Sequence, residues 1–232
     1  MKVVAIVPIK LSDFNFLTDL NNLIGDNSYL TSTLNTLLKV KKINDIYIYC
    51  ADNKAKDYVK GRVKFKKRPA ELDEENVTSN KIVKSFVSHT RADIYVLFHA
   101  TFPFTNPDNI DYALDNVISG KFDSAFPVKK ITEYIWYKGS QSYFNLSNLP
   151  SKVWNDDYIS NYDLSAINKT EIKQNLYVET TGFYVFNSSA VKIDARRIGK
   201  HPLLIPITKF ESINVNNLED VELIQKIKSI MH

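Results

Sequence analysis

The chain has 232 residues, enough for one large domain, and 44% hydrophobic with 24% charged residues is ordinary for a globular protein. Its net charge of +4 is mild, and the densest basic run, residues 64–68, lies next to the acidic stretch 71–75. A nucleic-acid footprint needs a larger basic patch. We therefore expect no nucleic-acid partner and interpret the run as a solvated strand, with an anion-related role as the alternative.

Cysteine content and hydropathy exclude further classes. The single Cys50 excludes an internal disulfide and every metal site built from several cysteines. No apolar stretch approaches the ~20 residues of a membrane span. The apolar run at residues 3–7 is too short for a signal peptide. We expect a cytoplasmic protein with no membrane partner.

Apolar runs and amphipathic segments alternate through the first half of the chain. Buried strands are predicted at residues 3–7, 45–50, 93–98 and 122–128. Between them, apolar side chains recur at helical spacing, within residues 30–38, 82–87 and 110–117. This alternation predicts an α/β fold, with a mostly parallel sheet and helices on both of its faces.

The second half begins with a long irregular segment, residues 134–175, which is rich in Tyr, Asn and Ser. It is too long for a plain loop in a compact domain. We interpret it as an excursion that packs on a second subunit, and a mobile lid is the alternative. After this segment the chain is predicted to return to the sheet, with strands at residues 177–186, 203–207 and 212–215. A helix is predicted to end the chain. All 232 residues are predicted to form one domain.

Ligands of such sheets bind beyond the carboxyl ends of the strands. That rule selects residues 7–10, 50–53, 99–101 and 179–182, with a polar cluster around residues 214–216. The sequence contains neither a GxxxxGK[ST] phosphate loop nor a GxGxxG motif. This argues against a P-loop NTPase and against a dinucleotide-binding domain.

Seven segments, in this order, resemble the acylneuraminate cytidylyltransferase (CMP-sugar synthetase) family. They are VAIVPIK at 4–10, RPAEL at 68–72, YVLFHATFPF at 95–104, DSAFPVK at 123–129, ETTGFYVF at 179–186, RRIGKHP at 196–202 and ESINVNNLED at 211–220. Each motif is weak alone, but the ordered set is specific and covers nearly the whole chain.

The resemblance implies a nucleotide-diphosphosugar-transferase-like, Rossmann-like fold with a dimerisation excursion near residues 134–175. It also implies transfer of CMP from CTP to a nonulosonic, sialic-acid-like or related acidic sugar, with release of pyrophosphate. Mg²⁺ would be the cofactor. Such chemistry needs cations around the phosphates and carboxylates around the metal.

The match weakens at the chemical centre. Lys10 keeps the basic residue after the first strand, where the resemblance implies a catalytic and nucleotide-binding role. On an ungapped alignment, Asp19 and Leu20 occupy the positions of the family's Lys-Asn pair. A lysine replaced by an aspartate reverses the charge beside a polyanion, so the change should repel the triphosphate.

The metal positions are altered as well. The two aspartates of the family's D-x-D pattern fall on Asn214 and Asn216. An amide oxygen can ligate a cation but brings no charge, so we expect weak Mg²⁺ binding at these residues. Asp156, Asp157 and Asp163 lack the family's spacing, and we interpret them as solvated surface residues.

The remaining candidates each have a structural alternative. The resemblance implies nucleotide binding by five residues: Arg68, Thr78, Ser79, His99 and Thr101. Their alternatives are a strand cap for Arg68, a helix cap for the hydroxyls at 78 and 79, and simple loop packing for the rest. It implies substrate binding by Thr181, Arg196 and Arg197. A guanidinium group suits a sugar-acid carboxylate, and an exposed basic pair is the alternative.

Three hypotheses for function follow. The first is an active cytidylyltransferase with CTP and an acidic sugar as ligands. The second is a catalytically degenerate paralogue that binds or regulates an active relative. The third is a related nucleotidyltransferase or binding protein with a changed ligand. The resemblance implies a homodimer, and the second hypothesis implies a heteromer with the active relative.

Overall fold

The computed structural model describes residues 1–10, 29–131, 136–138, 158–160, 177–194 and 197–231. By its internal contacts the chain divides into two compact units. The main unit comprises residues 1–128 and 179–232, and the second unit comprises residues 129–178. The second unit therefore contains the segment 134–175 that the sequence suggested as an excursion.

A mixed sheet forms the centre of the fold. Its strands are β1 (Val3–Pro8), β2 (Asp45–Cys50), β3 (Val63–Lys67), β4 (Ile94–Phe98), β5 (Ser124–Lys130), β8 (Tyr177–Glu179), β9 (Phe183–Asn187) and β10 (Pro202–Pro206). The order across the sheet is β10-β5-β9-β4-β1-β2-β3, and β8 pairs with β5. Neighbours on this path are parallel except at β9, which is antiparallel to both β4 and β5.

In the described part of the chain, five α-helices accompany the sheet: α1 (Tyr29–Lys39), α2 (Ser79–His89), α3 (Pro107–Ile118), α4 (Ser188–Asp194) and α5 (Leu218–Met231). Local sequence explains where two of them begin. Thr78 caps α2 by accepting a hydrogen bond from the Lys81 amide, and Asn106 caps α3 immediately before Pro107. Gly120 follows α3 with φ of +73°, a conformation that glycine adopts without strain.

The core has two layers because alternate residues of each strand point to opposite faces. Val3, Ala5 and Val7 of β1 pack in one cluster with apolar residues of α1 and α3. Val4 and Ile6 pack in the other cluster with residues of α2 and α4. Helices therefore cover both faces of the sheet, which confirms the predicted α/β architecture.

Three strand predictions need correction or refinement. Residues 212–215 lie outside the sheet, and the predicted strand at 177–186 is two strands separated by a turn at Thr181-Gly182. The basic run forms β3 and Lys64 there is exposed, as predicted for a solvated strand, but Arg68 directly after it is buried. The run therefore ends with a cation inside the protein.

The second unit contains a short antiparallel hairpin. Strand β6 (Trp136–Lys138) pairs with β7 (Tyr158–Ser160), and Trp136 lies opposite Ser160. Asp156, Asp157 and Asp163 lie outside the described residues. Among the helices in the described part of the chain, none is long and apolar enough to cross a membrane.

Candidate functional site

A cavity of about 530 Å³ opens at the carboxyl ends of the parallel strands. Its walls include the end of β1 with the two residues after it (Pro8, Ile9 and Lys10), and the segment after β4 (His99 to Thr101). Residues 72–75 and 77, before α2, and Ser79 at its start also line the cavity. Val215 and Asn216 close another side. The cavity lies at the edge of the sheet where ligands of α/β proteins bind.

Six of the sequence-predicted site residues meet in this cavity: Lys10, Arg68, Ser79, His99, Thr101 and Asn216. They come from five separate stretches of chain, and strand order brings them together. β1 lies between β2 and β4 in the sheet, so Lys10 and His99 follow neighbouring strands. The Arg68 amide donates to the Cys50 carbonyl (2.9 Å), which ties the end of β3 to that of β2.

The Arg68 side chain is 3% exposed although it lines the cavity. Its Nη2 donates to the Ile9 carbonyl (2.8 Å) and forms an ion pair with Asp73. The guanidinium carbon also lies 5.9 Å from the centre of the Tyr49 ring. The alternative of a simple strand cap is insufficient for Arg68, because its charge is brought into the wall of the cavity.

His99 lies between the cavity and the protein interior. Its amide donates to the Gly182 carbonyl (3.0 Å), and its ring meets the edge of Tyr184 at 6.4 Å between centroids. Burial, and secondarily the positive charge of Arg197, lowers the pKa of His99 to about 4. The imidazole is therefore neutral at pH 7 and can accept or donate one hydrogen bond towards a ligand.

Three predicted residues lie elsewhere or cannot be placed. Thr78 is exposed and its hydroxyl accepts from the Lys81 amide (3.3 Å), so the helix-cap alternative accounts for it. Thr181 is exposed in the turn between β8 and β9 and does not line the cavity. Arg196 lies outside the described residues, as do Asp19 and Leu20.

Arg197 belongs to a polar network behind His99. Its Nη1 donates to Asn80 Oδ1 (3.0 Å), and its Nη2 donates to the Tyr184 hydroxyl (3.3 Å) and lies 3.6 Å from Glu179 Oε1. Its guanidinium carbon stacks on the Tyr184 ring at 4.4 Å. The Tyr184 hydroxyl donates to Glu179, and burial together with this carboxylate raises the Tyr184 pKa. The alternative of an exposed basic residue is therefore wrong for Arg197.

A carboxylate clamp holds the segment that carries Arg197. Asp123 Oδ2 accepts from the backbone amides of Lys200 (2.7 Å) and His201 (2.9 Å). The Gly199 amide donates to the Ser124 hydroxyl (2.9 Å), which itself donates to Asp123 Oδ1 (3.0 Å). A Cβ atom at Gly199 would lie 2.3 Å from that carboxyl group, so only glycine fits here.

The closing motif, residues 211–220, is held by its two end carboxylates. Glu211 accepts from the Asn106 amide (3.2 Å), from Asn109 Nδ2 (2.7 Å) and from Thr208. Asp220 accepts from the Asn216 amide (2.8 Å), while its own amide donates to Asn217 Oδ1 (2.9 Å). These bonds fix the loop that presents Asn216 to the cavity.

The metal positions have an unfavourable donor set. Asn216 lines the cavity, whereas Asn214 does not and its buried Oδ1 has no hydrogen-bond partner in the described part of the protein. No group of three His, Cys, Asp or Glu residues in the described chain is arranged to hold a metal ion. Two neutral amides fit Mg²⁺ poorly, because this ion is bound mainly through carboxylates.

Comparison with known families decides the class of this site. The cytidylyltransferase family model matches residues 22–222, which is most of the chain. The chain belongs to the cytidylyltransferase family. Cytidylyltransferases of this kind transfer CMP from CTP, and the match does not narrow the acceptor. A search of curated proteins gives no match.

Solved structures with the same fold include two kinds of cytidylyltransferase. A 4-diphosphocytidyl-2C-methyl-D-erythritol synthase from Anaerococcus prevotii superimposes with a TM-score of 0.66 at 10% identity, over 98% of this chain and 96% of that one. A CMP:2-keto-3-deoxy-manno-octonic acid synthetase, complexed with CTP, gives 0.63 at 12% identity over 100% of both chains. The narrower resemblance to acylneuraminate cytidylyltransferases stays a prediction.

Sequence reasoning missed the carboxylates that hold this cytidylyltransferase site together. Asp73, Asp123, Glu211 and Asp220 all bind neighbouring groups through their carboxylates. Three of them offered a signal, since Asp123 begins one quoted motif and Glu211 and Asp220 begin and end another. Asp73 offered no signal beyond its place in an acidic stretch, because only the folded structure shows that it pairs with Arg68.

Proposed function

We propose that this protein binds CTP in the 530 Å³ cavity and transfers CMP to an acidic sugar of the nonulosonic, sialic-acid-like class, with release of pyrophosphate. Membership in the cytidylyltransferase family supports the nucleotide and the reaction. The observation that carries the proposal is the convergence of Lys10, Arg68, Ser79, His99 and Thr101 on one cavity at the ligand-binding edge of the sheet.

The reaction is a substitution at phosphorus. A hydroxyl oxygen of the acceptor attacks the α-phosphorus of CTP and forms a new P–O bond, and the bond from that phosphorus to its bridging oxygen breaks. Pyrophosphate leaves with the bonding electrons, and the acceptor hydroxyl loses its proton. Lys10 and Arg68 are the cations in the cavity wall that can stabilise the charge that develops on the phosphates.

The acceptor side is supported by Arg197 and its surroundings. Arg197 Nε is buried and has no hydrogen-bond partner in the described residues, and the guanidinium group lies over the Tyr184 ring, which in turn meets the His99 ring. An acceptor that carries a carboxylate would offer a charged hydrogen-bond acceptor to such a group. An acidic sugar is the acceptor class that fits this arrangement and the motif resemblance together.

Homodimerisation through residues 134–175 is part of the same proposal. Most of this segment lies outside the described residues, so the support for dimerisation is the family resemblance alone. Sedimentation velocity of the purified protein measures the oligomeric state directly.

A second function is favoured by the metal positions. Asn214 and Asn216 stand where the resemblance implies aspartates, and in the described residues no group of three or more His, Cys, Asp or Glu is arranged to hold a metal ion. A degenerate paralogue that binds an active relative would keep the fold and lose the transfer. Mg²⁺, which the family resemblance implies, would then have no resident site, and the protein would be found in a heteromer.

Titration calorimetry with CTP, in the presence and in the absence of Mg²⁺, separates the two functions. We expect CTP to bind with a preference over ATP and UTP, and Lys10→Ala to weaken CTP binding at least about tenfold through loss of a phosphate contact. Lys121→Ala is the matched control, because Lys121 is exposed and precedes β5 at the opposite edge of the sheet.

Two results would decide against the enzyme. If CTP does not bind under either condition, the degenerate paralogue becomes the better account and affinity purification for a second cytidylyltransferase is the next step. If CTP binds but acidic sugars release no pyrophosphate from it, the acceptor assignment fails while the nucleotide assignment stands.

A further inference from the structure

The cation that lines the cavity most deeply is already paired with a carboxylate of the same cavity. Arg68 is 3% exposed and forms an ion pair with Asp73, whose side chain is 24% exposed. Both residues line the cavity. Asp73 ends the short 3₁₀ helix Ala70–Asp73, which begins two residues after Arg68, so the pair closes a tight loop of chain.

This ion pair is incompletely satisfied. Arg68 Nε is buried and has no hydrogen-bond partner in the described residues, and Asp73 Oδ1, also buried, contacts only Nη2 of the same guanidinium group through the ion pair. The pair is thus held by charge without the parallel hydrogen bonds that a guanidinium and a carboxylate usually form. Buried polar atoms without partners are rare in proteins and often lie where a ligand or an ion completes the bonding.

The balance of charge in the cavity adds a second observation. Among its described lining residues, Asp73, Glu74 and Glu75 carry one more charge than Lys10 and Arg68 together. The cavity therefore repels a free triphosphate unless one of its carboxylates withdraws.

We propose that Asp73 is a placeholder for a nucleotide phosphate: it occupies the anion position of Arg68 in the ligand-free protein, and a phosphate oxygen takes that position on binding. The inference rests on the proposed function for the identity of the ligand. Asp73 acts as a specificity-determining residue, because an incoming anion must replace a negative charge that the protein already supplies.

The placeholder has a direct energetic consequence. Before a phosphate reaches Arg68, Asp73 must move away and be hydrated, and this cost is subtracted from the binding free energy. A weakly charged ligand cannot offset the free energy needed to displace Asp73. A phosphate can do so by forming two parallel hydrogen bonds with the guanidinium group. The carboxylate also protects the buried cation while the cavity has no ligand, since an unpaired buried charge is strongly destabilising.

The test is calorimetry of Asp73→Asn with pyrophosphate and with CTP, both in metal-free buffer. We expect the variant to bind each of them about tenfold or more tightly than the wild type, because one negative charge beside the phosphates is gone. The gain should shrink as salt is added. Glu71→Gln is the matched control: Glu71 lies in the same acidic stretch, is exposed and does not line the cavity, so affinity should change less than about twofold.

Further outcomes separate this inference from the proposed function. The double variant Arg68→Met/Asp73→Asn should lose the gain, and a gain that persists without Arg68 overturns the placeholder. CTP binding that is equal in wild type and Asp73→Asn also overturns it and leaves the proposed function intact. Tighter pyrophosphate binding without any preference for CTP over ATP and UTP supports the placeholder and contradicts the cytidylyltransferase activity.

Thermal unfolding provides a second readout because Asp73→Asn leaves Arg68 unpaired. We expect a lower Tm for the variant, and pyrophosphate should restore the Tm towards that of the wild type. A loss of stability that saturating pyrophosphate does not restore would show that Asp73 is only a structural partner, and this result would overturn the proposal.

Discussion

Arg68 and Arg197 are each paired with a carboxylate, but their surroundings differ in how far they satisfy the guanidinium group. Arg68 is 3% exposed and contacts one backbone acceptor, one carboxylate and, at 5.9 Å, the Tyr49 ring. Arg197 is 23% exposed and contacts Asn80, the Tyr184 hydroxyl, the Tyr184 ring and Glu179. The deeper arginine has fewer partners, although burial raises the cost of every missing bond.

The difference separates a site for phosphate from a more rigid region next to it. Arg197 is held by α2, β8 and β9, and its own segment is fastened by Asp123. Arg68 is held by a neighbouring loop and by a carboxylate that lines the same cavity. We infer that the Arg68 region contributes mainly phosphate binding, whereas the Arg197 region contributes mainly rigidity and leaves Arg197 Nε for the acceptor. The three predictions below test this division.

The largest effect is expected from Gly199→Ala, which disrupts the clamp behind Arg197. The new Cβ would lie 2.3 Å from the Asp123 carboxyl group, and turning that group away gives up its three hydrogen bonds. At about 1 kcal/mol for each bond, we expect a loss of about 3 kcal/mol in the free energy of unfolding, measured by urea denaturation.

Gly120→Ala is the matched control for that change. Gly120 has φ of +73° and open space around its Cα, so alanine should cost only about 1 kcal/mol from backbone strain. CTP affinity of Gly199→Ala should stay within about threefold of the wild type. A large loss of CTP affinity with unchanged stability would instead place the clamp in the binding site.

More of the fold than of the site could be predicted from the sequence. Strand and helix patterns up to residue 130 need only local periodicity and the rule that parallel strands alternate with helices, and both hold here. The antiparallel β9 between β4 and β5 was not predictable, because strand order depends on contacts between distant residues. The irregular path of residues 212–215 was missed for a similar reason: Val215 donates to the Thr101 carbonyl, far away in sequence.

For the site, the sequence identified which residues meet but not what they do to one another. Lys10, His99 and Asn216 reach one cavity because each follows a segment at the same edge of the sheet. The pairing of Arg68 with Asp73 and of Arg197 with Glu179 depends on side-chain geometry that no local pattern encodes. Motif resemblance cannot predict these pairs, because it compares residue types and not their contacts.

A smaller effect is expected from lowering the pH, because His99 connects the two arginine regions. Its pKa is about 4 in the folded protein against an ordinary value of 6.5, so the fold favours the neutral form. The unfolded chain then binds more protons between these pH values. Stability from this residue is complete above pH 6.5 and is lost as the pH falls towards 4, by about 2 kcal/mol between pH 6.5 and pH 5.

Urea denaturation at several pH values between 7.5 and 5 measures this loss, and His99→Asn is the comparison. The variant removes the titrating ring, so its stability should depend less steeply on pH, whatever its absolute stability. If stability depended equally steeply on pH in the wild type and the variant, His99 would not be a buried, neutral residue. It would then not connect the cavity with the Arg197 network.

The smallest effect is expected from Arg197→Met, which tests whether the charge of Arg197 influences the pKa of His99 in the cavity wall. Burial is the first cause of the low His99 pKa and the charge of Arg197 is the second. Removal of that charge should therefore raise the His99 pKa part of the way towards 6.5, as followed by NMR titration of the ring. Arg91→Met, at an exposed residue before β4, should leave it unchanged. An unchanged pKa in Arg197→Met would mean that burial alone sets the His99 pKa, so that the Arg197 region supports the cavity through packing and not through its charge.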